Sequence, residues 1–237
     1  MGLTGAQLDA WKRDGFLILE RFVDGDTLAA LRAAYDEILR RDVEAGGDRM
    51  LGAVTRQVMH PSAAHPAFDR NAALDRGFEI ARQAFGTAEV RRSFDMLIYK
   101  PPGHPHATPW HQDMAYSKQP FAEPGTTNTL ESVQFWIPLD DVDAENGCMQ
   151  FVAGHHERPL LEHRVVSGDP ADEGRLLALA DPESQLDLAT AVVAAIPAGG
   201  ATMHFYGTPH YAGPNHSAER ERRAYIFNVA TTRAFGP

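Results

Sequence analysis

Apolar and polar positions along the chain separate a helical first third from a strand-rich remainder. Near the N-terminus, Thr4 and Gln7 form a capping-box pattern that predicts a helix running to about Asp14, where Gly15 ends it. The apolar run Phe16–Leu19 follows at once and predicts a short strand. The chain therefore opens with a helix that leads directly into a strand.

A second helix is predicted from an apolar stripe with helical spacing. Asp24 or Asp26 would cap this helix. The stripe consists of Leu28, Leu31, Tyr35, Ile38 and Leu39. The glycine pair at 46–47 interrupts the pattern, residues 48–66 show no clear period and are expected to be irregular, and residues 74–85 again predict a helix.

From residue 90 onward, short apolar runs alternate with turn residues, which is typical of β-strands. The predicted strands are 90–100, 131–139, 148–152, 192–196, 202–205 and 223–229. Asn146 and Gly147 form a hairpin signal, so 148–152 is expected to be a return strand. The expected loops are 101–109, 115–130 and the irregular 155–190. The pattern predicts a mainly β fold with N-terminal helices and a double-stranded β-helix (jelly roll, cupin-like) core.

Length and composition narrow the class of protein. The 237 residues suit one domain, 1–237, with 1–90 as helical support, 91–237 as the jelly-roll core and about 155–190 as a lid insertion. A net charge of −10 without a basic run argues against nucleic acid as a partner. Cys148 is the only cysteine, which excludes an intrachain disulfide framework and a cysteine-based metal site.

The sequence also indicates where the protein is located and what kind of partner it binds. The sequence contains no apolar run of about 20 residues and no secretory signal, so we expect no membrane contact and a soluble, cytoplasmic protein. The expected partner is a small-molecule substrate. The oligomeric state stays open.

A split set of metal-ligand residues carries the chemistry. His111 and Asp113 are two positions apart, so an extended strand would present both on one face. His210 lies 97 positions after Asp113 and would reach the same metal only if the fold returns its strand beside the first. Two histidines and one carboxylate form the facial triad of non-haem Fe(II) oxygenases. His204, on a predicted strand, competes with His210 for the distal position, with a core or outer-shell histidine as its plainer interpretation.

An arginine that follows the distal histidine extends this chemistry. Arg222 lies twelve positions after His210, and strand alternation places Ala224, Ile226 and Asn228 on the same face. A buried guanidinium needs a planar anion and pairs bidentately with carboxylates. Arg222 could therefore hold the distal carboxylate of a 2-oxo dicarboxylic acid whose other end chelates iron.

Several motifs in order resemble the phytanoyl-CoA dioxygenase family of Fe(II)/2-oxoglutarate-dependent oxygenases. The matching segments are 109–113, 135–141, 145–149, 154–155, 210–215 and 222–224. The resemblance implies that His111, Asp113 and His210 bind Fe(II), that Arg222 anchors 2-oxoglutarate, and that O2 is consumed. His210 is preferred to His204 because Ala-Gly-Pro-Asn closely follows it. The spacing from His210 to Arg222 is one residue longer than the family pattern, so Arg220 or Arg223 stays an alternative anchor.

Further candidates are assigned with their plainer alternatives. The candidates for the cosubstrate site are Lys100, Gln134 and Trp136. Their alternative interpretations are a solvated surface lysine for Lys100, a polar edge-strand residue for Gln134 and a core residue for Trp136. The candidates for substrate contact are Tyr116, Met59 and Arg56. The alternative interpretation of Met59 and Arg56 is that they lie in an ordinary surface loop. Gln112 is expected to be an outer-shell donor or a solvent-facing residue.

The implied reaction is oxidation of a small metabolite with release of succinate and CO2. Hydroxylation, oxidative ring closure and desaturation are all compatible, and composition favours a precursor in natural product biosynthesis. Related halogenases have Gly or Ala at the position of Asp113, so halogenation is not expected. The alternative function is a non-oxygenase metal-binding jelly roll, such as a cupin-like isomerase or a small-molecule binder, which would not need Arg222. A carbohydrate-binding jelly roll would need exposed aromatics, and two of the three tryptophans fall in the site segments.

Overall fold

The computed structural model describes residues 2–41, 44–52, 54–117, 123–126, 131–169, 171–172 and 175–231. The helices are α1 (Gly5–Asp14), α2 (Gly25–Arg40), α3 (Pro61–Ala64), α4 (Pro66–Asp69), α5 (Ala72–Phe85) and α6 (Pro182–Gln185), with 3-10 turns at Asp113–Ser117 and Leu188–Thr190. The strands are β1 (Phe16–Leu19), β2 (Gly47–Leu51), β3 (Thr55–Met59), β4 (Val90–Lys100), β5 (Thr108–His111), β6 (Ser132–Pro138), β7 (Met149–Phe151), β8 (His163–Val165), β9 (Leu177–Leu179), β10 (Val192–Ala194), β11 (Ala201–Phe205), β12 (His210–Ala212) and β13 (Arg222–Thr231).

The strands form two main sheets that face each other. The larger sheet has the order β1-β11-β6-β13-β4-β3-β2, and the smaller has the order β10-β7-β12-β5. All strand pairs are antiparallel. Trp136 and Ile226 of the larger sheet pack in one buried cluster with Met149 and Phe151 of the smaller sheet. The site residues described below lie in this sandwich interior.

The opposite face of the larger sheet carries the helices. Tyr225 and Phe227 of β13 belong to a second buried cluster together with Tyr35 of α2 and Ile80 of α5. Strand alternation therefore assigns each sheet residue to one of two environments, the sandwich interior or the helical layer. Among the described residues, no helix combines the length and apolar character that a bilayer crossing requires.

The starts of α1 and α2 and the end of α1 are found where capping chemistry predicts them, whereas α2 ends at Arg40, before the glycine pair at 46–47. Thr4 and Gln7 form a reciprocal capping box at α1, and Gly15 ends that helix in a left-handed conformation with φ 81°. Asp24, not Asp26, caps α2 and accepts a hydrogen bond from the backbone N–H of Thr27.

The expectation that residues 48–66 are irregular is wrong. Strands β2 and β3 form a hairpin that extends the larger sheet through β4, and the short helices α3 and α4 begin in the same segment. Three consecutive residues of β2, Asp48, Arg49 and Met50, are exposed. An edge strand without a buried face has no apolar alternation, which is why the pattern did not indicate it.

The Asn-Gly hairpin expectation is also wrong. Strand β6 pairs with β11 and β13, whereas β7 pairs with β10 and β12, so the connection carries the chain from one sheet to the other. Gly147 has φ 87°, and a Cβ built on it would lie 2.4 Å from the carbonyl oxygen of Gly213. The side chain of Asn146 bridges Asp143 N–H at 2.9 Å and Asp141 C=O at 2.8 Å. The dipeptide thus builds a close crossing between sheets.

The insertion at 155–190 is more ordered than expected. It contains the two-stranded ribbon β8–β9, in addition to α6 and a 3-10 turn. Val165 and Leu177 of this ribbon pack against Met114 and Tyr116. The ribbon therefore lies against the turn that follows His111. The polar loop expected at 115–130 falls partly outside the described residues.

Candidate metal centre

Two histidines of the smaller sheet are brought together by strand pairing. His111 ends β5, His210 begins β12, and the two are directly paired in the antiparallel register. Their ring centroids are 4.1 Å apart. The return of a distant strand, which the sequence required for a shared metal, is therefore present.

Asp113 reaches the two histidines from a turn and not from a strand. It begins the 3-10 turn Asp113–Ser117, so the expectation that it shares an extended strand with His111 is wrong. The turn is held by hydrogen bonds from Met114 N–H to Tyr206 C=O and from Ala115 N–H to Gln112 C=O, each 3.0 Å long. The backbone bends immediately after His111 and carries the carboxylate back over the sheet.

The three side chains form a compact donor set. Oδ1 of Asp113 lies 3.6 Å from Nε2 of His111 and 3.7 Å from Nε2 of His210, and one ligand atom from each residue lies within 4.8 Å of the others. Each histidine places Nδ1 against a backbone carbonyl, His111 against Pro109 at 2.7 Å and His210 against Thr208 at 2.9 Å. Since a carbonyl only accepts, Nδ1 carries the proton and the Nε2 lone pair faces the centre.

The charges of the set suit a divalent cation. Burial lowers the pKa of His210 well below its usual range, so this imidazole is neutral. Burial alone would raise the pKa of Asp113, but the imidazoles of His210, His111 and His204 around its two oxygens outweigh burial and hold that pKa well below normal, so the carboxylate is ionised. Two neutral nitrogens and one carboxylate fit the facial arrangement that binds Fe(II).

His204 lies beside this set on the opposite sheet. It is fully buried on β11, and its Nε2 is 3.4 Å from Oδ2 of Asp113 and 3.1 Å from the side-chain Nε2 of Gln134. The three-residue donor group comprises His210 and not His204. Of the two distal candidates, the structure places His210 at the centre and His204 behind the aspartate.

Arg222 lies in the sandwich interior, and no described carboxylate pairs with it. Its side chain is 1% exposed, and its Nε and Nη2 make no hydrogen bond with any described residue. The guanidinium carbon lies 5.7 Å from the ring centroid of Trp136, and burial lowers the pKa of Arg222 to about 10. A buried, unsatisfied guanidinium is costly, so this position calls for a carboxylate or similar planar anion.

The two alternative arginines already have carboxylate partners. Arg220 pairs with Asp143 at 2.9 Å and with Glu145 at 2.5 Å. Arg223 faces the helical layer and pairs with Asp140 and Asp36, each at 2.6 Å. Of the three arginines, Arg222 is the one whose geometry leaves room for an anionic ligand.

Lys100 adds a second buried cation beside Arg222, its direct cross-strand partner. Its Nζ donates to the carbonyl oxygens of Gly213 at 2.6 Å and Ala212 at 3.2 Å. Burial, then repulsion from Arg222, lowers the pKa of Lys100 well below its usual range. The solvated-lysine alternative is wrong, and the contacts of Lys100 are to backbone.

Gln134, Trp136 and Thr202 continue the same interior surface. Trp136 is paired across the sheet with Thr202 and Ile226, and Gln134 is paired with His204. The hydroxyl of Thr202 is buried and has no hydrogen-bond partner among the described residues. Sequence analysis missed Thr202, although its alternation with His204 on β11 was a usable signal.

The three candidates for substrate contact lie in different environments. Tyr116 is oriented edge-on to the ring of His111, with centroids 6.0 Å apart, and its hydroxyl accepts a hydrogen bond from Leu177 N–H. Met59 pairs with Met96 on the interior-facing side of β3. Arg56 has the opposite parity, pairs with Asp48 at 2.7 Å and donates to the end of α2, so the expectation that it lines the mouth is wrong.

Gln112 is buried and not solvent-facing. Its side-chain Nε2 donates to Gly207 C=O at 2.6 Å, and its Oε1 accepts from Leu161 N–H at 2.9 Å. Its backbone N–H donates to Nε2 of His163 at 3.0 Å. The residue between the two ligands therefore ties the metal centre to the 155–190 insertion, a role that the local pattern did not reveal.

Asn228 and Tyr206 are further polar residues that the sequence pattern did not single out. Asn228 has the same parity as Arg222 on β13, and its amide donates to the hydroxyl of Tyr206. Its Oδ1 is buried without a partner among the described residues. An interior acceptor of this kind suits a hydroxyl or amine of a bound molecule.

The chain is similar in sequence and in fold to known proteins. A protein-family model described as Phytanoyl-CoA dioxygenase (PhyH) matches residues 11–224. The peroxisomal phytanoyl-CoA dioxygenase of Rattus norvegicus is 27% identical over 175 residues, covering 68% of this chain and 50% of that protein. The ectoine dioxygenase of Halomonas elongata is 30% identical over 158 residues, covering 65% of this chain and 46% of that protein. The chain spans about half the length of these curated relatives.

A solved structure is similar over nearly the whole chain. EvdO2 from Micromonospora carbonacea var. aurantiaca, complexed with 2-oxoglutarate, is 28% identical with a TM-score of 0.79, covering 97% of this chain and 91% of that one. The jelly-roll core expected from the sequence is confirmed by this similarity.

Proposed function

Because the chain belongs to the phytanoyl-CoA dioxygenase family, we propose that it is an Fe(II)- and 2-oxoglutarate-dependent oxygenase acting on a small-molecule metabolite. One observation carries the proposal: an unpaired, buried Arg222 faces the same interior as the His111, Asp113 and His210 donor set. A facial metal triad alone would fit several metalloenzymes. A buried guanidinium that awaits an anion is the feature that a metal-binding jelly roll without a keto-acid cosubstrate would not need.

The metal would be held by Nε2 of both histidines and by Oδ1 of Asp113. Both imidazoles are already in the tautomer that presents Nε2, so binding needs no proton rearrangement there. When bound, iron and 2-oxoglutarate together reduce O2 and supply the oxidant for a C–H bond, with release of succinate and CO2. The sandwich interior keeps bulk water from that chemistry.

Arg222 would pair with the distal carboxylate of 2-oxoglutarate, and Trp136 would form a wall beside it. Lys100 lies buried next to Arg222 and forms part of the same end of the interior. Thr202 and Gln134 offer further polar atoms on the same interior surface. These residues orient the cosubstrate so that its keto-acid end meets the metal.

The substrate would enter from the side of Tyr116 and Met59, under the 155–190 insertion. Polar atoms of Asn228 and Tyr206 on this side suit a substrate with hydroxyl or amine groups. The names of the two curated relatives refer to phytanoyl-CoA and to ectoine, so family membership does not identify the substrate. We infer hydroxylation or another oxidative outcome, within natural product biosynthesis, and no halogenation because Asp113 occupies the carboxylate position.

The proposal is tested by anaerobic titration of metal-free protein with Fe(II) and then 2-oxoglutarate. We expect a weak visible charge-transfer band from the chelated keto acid. The band should disappear in His210→Ala. It should weaken strongly in Arg222→Met, which lacks the guanidinium that would pair with the distal carboxylate of 2-oxoglutarate.

The matched control is Arg220→Met, which removes an arginine that already pairs with Asp143 and Glu145 outside the interior. This variant should give the wild-type band. The proposal is wrong if wild-type protein gives no band, or if Arg222→Met binds 2-oxoglutarate as tightly as wild type.

A further inference from the structure

We propose that His204 is a positioning residue that binds the second oxygen of Asp113 and so keeps this carboxylate a one-oxygen ligand of the metal. The inference rests on the proposed function, since it concerns the metal that the triad would hold. It assigns a task to a histidine that competes with His210 in the sequence but lies outside the three-residue donor group.

The two oxygens of Asp113 face different partners. Oδ1 points to the two ligand histidines at 3.6 and 3.7 Å, whereas Oδ2 points to Nε2 of His204 at 3.4 Å. Oδ2 is buried, and apart from this 3.4 Å contact it meets no hydrogen-bond donor among the described residues. His204 reaches this oxygen from the larger sheet, whereas His111 and His210 both lie on the smaller sheet. One oxygen of the carboxylate therefore faces the two ligand histidines, and the other faces His204.

The position of the His204 proton follows from its surroundings. Its Nδ1 is buried and has no partner in the part of the chain that the structure describes. A proton on Nδ1 would leave a buried N–H unsatisfied and would turn the Nε2 lone pair toward an ionised oxygen. A proton on Nε2 gives Asp113 its donor. The oxygen and nitrogen of the Gln134 amide can exchange places, so Gln134 can present its oxygen to the same N–H at 3.1 Å.

The ring of His204 is held against rotation by aromatic neighbours. Its centroid lies 5.3 Å from that of Phe151 and 4.4 Å from that of His210. The side chain is fully buried, and its interior-facing cross-strand partner on β1 is Phe16. A purely structural residue in these surroundings would be apolar, so the imidazole is explained by the carboxylate oxygen that it meets.

Holding Oδ2 has a consequence for the coordination sphere. A carboxylate that is free to use both oxygens would occupy an additional position on the metal. With Oδ2 bound to His204, the triad occupies three positions and leaves the others for 2-oxoglutarate and O2. Partners of this kind, which bind a ligand's other atom, typically contribute about 10–100-fold to metal affinity.

The first measurement is the affinity for Co²⁺ alone, by calorimetry, with three variants of His204. The amide nitrogen of His204→Gln reaches the place of Nε2, whereas that of His204→Asn reaches only the place of Nδ1, and His204→Leu offers no donor. We expect His204→Gln to bind Co²⁺ within about threefold of wild type, and His204→Asn and His204→Leu to lose about 10–100-fold. The similar size and polarity of Gln and Asn keep the comparison valid if the leucine variant does not fold.

The second measurement counts the waters bound to Mn²⁺ by water-proton relaxation. If the freed Oδ2 joins the metal in His204→Asn, it displaces one of about three waters, and the relaxivity should fall by roughly one third. His204→Gln should keep the wild-type relaxivity. A residue that matters only for folding would not change this water count.

The outcomes separate the inference from the function on which it rests. Equal Co²⁺ affinity and Mn²⁺ relaxivity in all variants would overturn the positioning role while leaving the triad intact. If His204→Gln loses as much affinity as His210→Gln, His204 is itself a ligand and the inference is wrong. If wild-type protein binds neither ion, the proposed function fails first.

Discussion

Arg222 and Arg223 are neighbours in the chain, yet strand β13 gives them opposite environments. Arg222 lies in the sandwich interior with two nitrogens unsatisfied, while Arg223 joins Asp140 and Asp36 on the helical side. Burial of an unpaired cation opposes folding, whereas a paired, half-buried cation supports it. Arg222 is therefore placed to bind a ligand, whereas Arg223 stabilises the fold.

Replacing the two arginines by methionine should change stability in opposite directions. We expect Arg222→Met to raise the free energy of unfolding of ligand-free protein by about 1–3 kcal/mol, because the methionine fills the site without an uncompensated charge. Arg223→Met should lower it by about 1–3 kcal/mol, because it removes the guanidinium that pairs with Asp140 and Asp36. Urea denaturation of both variants in the presence of a chelator measures the difference. A loss of stability in Arg222→Met would show that the guanidinium has compensation in the ligand-free protein.

Single residues were predictable from sequence where alternation decides the environment. The face shared by Arg222, Ala224, Ile226 and Asn228 follows from period two, and β13 is regular there. Asp113 broke the rule because the strand ends at His111 and a 3-10 turn begins, which no periodicity of two residues can indicate. The location of His204 opposite Asp113 depends on how two sheets face each other, and so it could not be predicted locally.

At the scale of elements, the 155–190 insertion is fastened to the metal centre through one short segment. Nε2 of His163 accepts a hydrogen bond from the Gln112 backbone N–H, and its Nδ1 donates to Leu161 C=O. The first contact requires a neutral ring, because a protonated Nε2 cannot accept, and burial lowers the pKa of His163 to about 4. Protonation would place an N–H against the N–H of Gln112, next to the ligand His111.

This contact should make the protein sensitive to acid in a defined range. The pKa of His163 is about 6.5 in the unfolded chain and about 4 when folded, so the unfolded chain takes up the proton first. Its contribution is fully present above pH about 6.5 and is lost as the pH falls toward about 4, with a limit of about 3 kcal/mol.

The variant His163→Gln keeps a hydrogen-bond acceptor but does not titrate. Its free energy of unfolding relative to wild type should therefore rise as the pH falls from about 6.5 to about 4. Denaturation curves of the two proteins at several pH values, without metal, give this difference. His216→Gln, at an exposed histidine, is the control and should show no such trend. A pH-independent difference between His163→Gln and wild type would contradict the assignment.

Elements with a buried face were predictable, and those without one were not. Capping residues predicted the helices α1 and α2, and an apolar run predicted the strand at 132–138. The edge hairpin β2–β3 is polar and exposed along β2, and the Asn146–Gly147 crossing uses hairpin residues to change sheets. Local turn chemistry specifies a bend, but the partner of the next strand is decided by packing across the whole chain.

At the scale of the whole molecule, the proposed ligands would join the two sheets. His111 and His210 belong to the smaller sheet, while Arg222 and Trp136 belong to the larger one. A keto acid that chelates the metal at one end and meets Arg222 at the other would connect both. Since its chelating end needs the metal, we expect the two ligands to bind in a fixed order.

Thermal unfolding should display this order as two increments. At about 100 times its dissociation constant, a ligand stabilises by about 2.7 kcal/mol, which corresponds to a rise in Tm of about 5–10 °C for a chain of this size. Mn²⁺ alone should give the first increment, and 2-oxoglutarate should add the second only when Mn²⁺ is present. Arg222→Met should keep the first and lose the second, and Asp113→Asn should lose both. Arg223→Met should show both increments from a lower starting Tm. An increment from 2-oxoglutarate that survives in Arg222→Met, or without metal, would mean that the cosubstrate does not bridge the sheets as proposed.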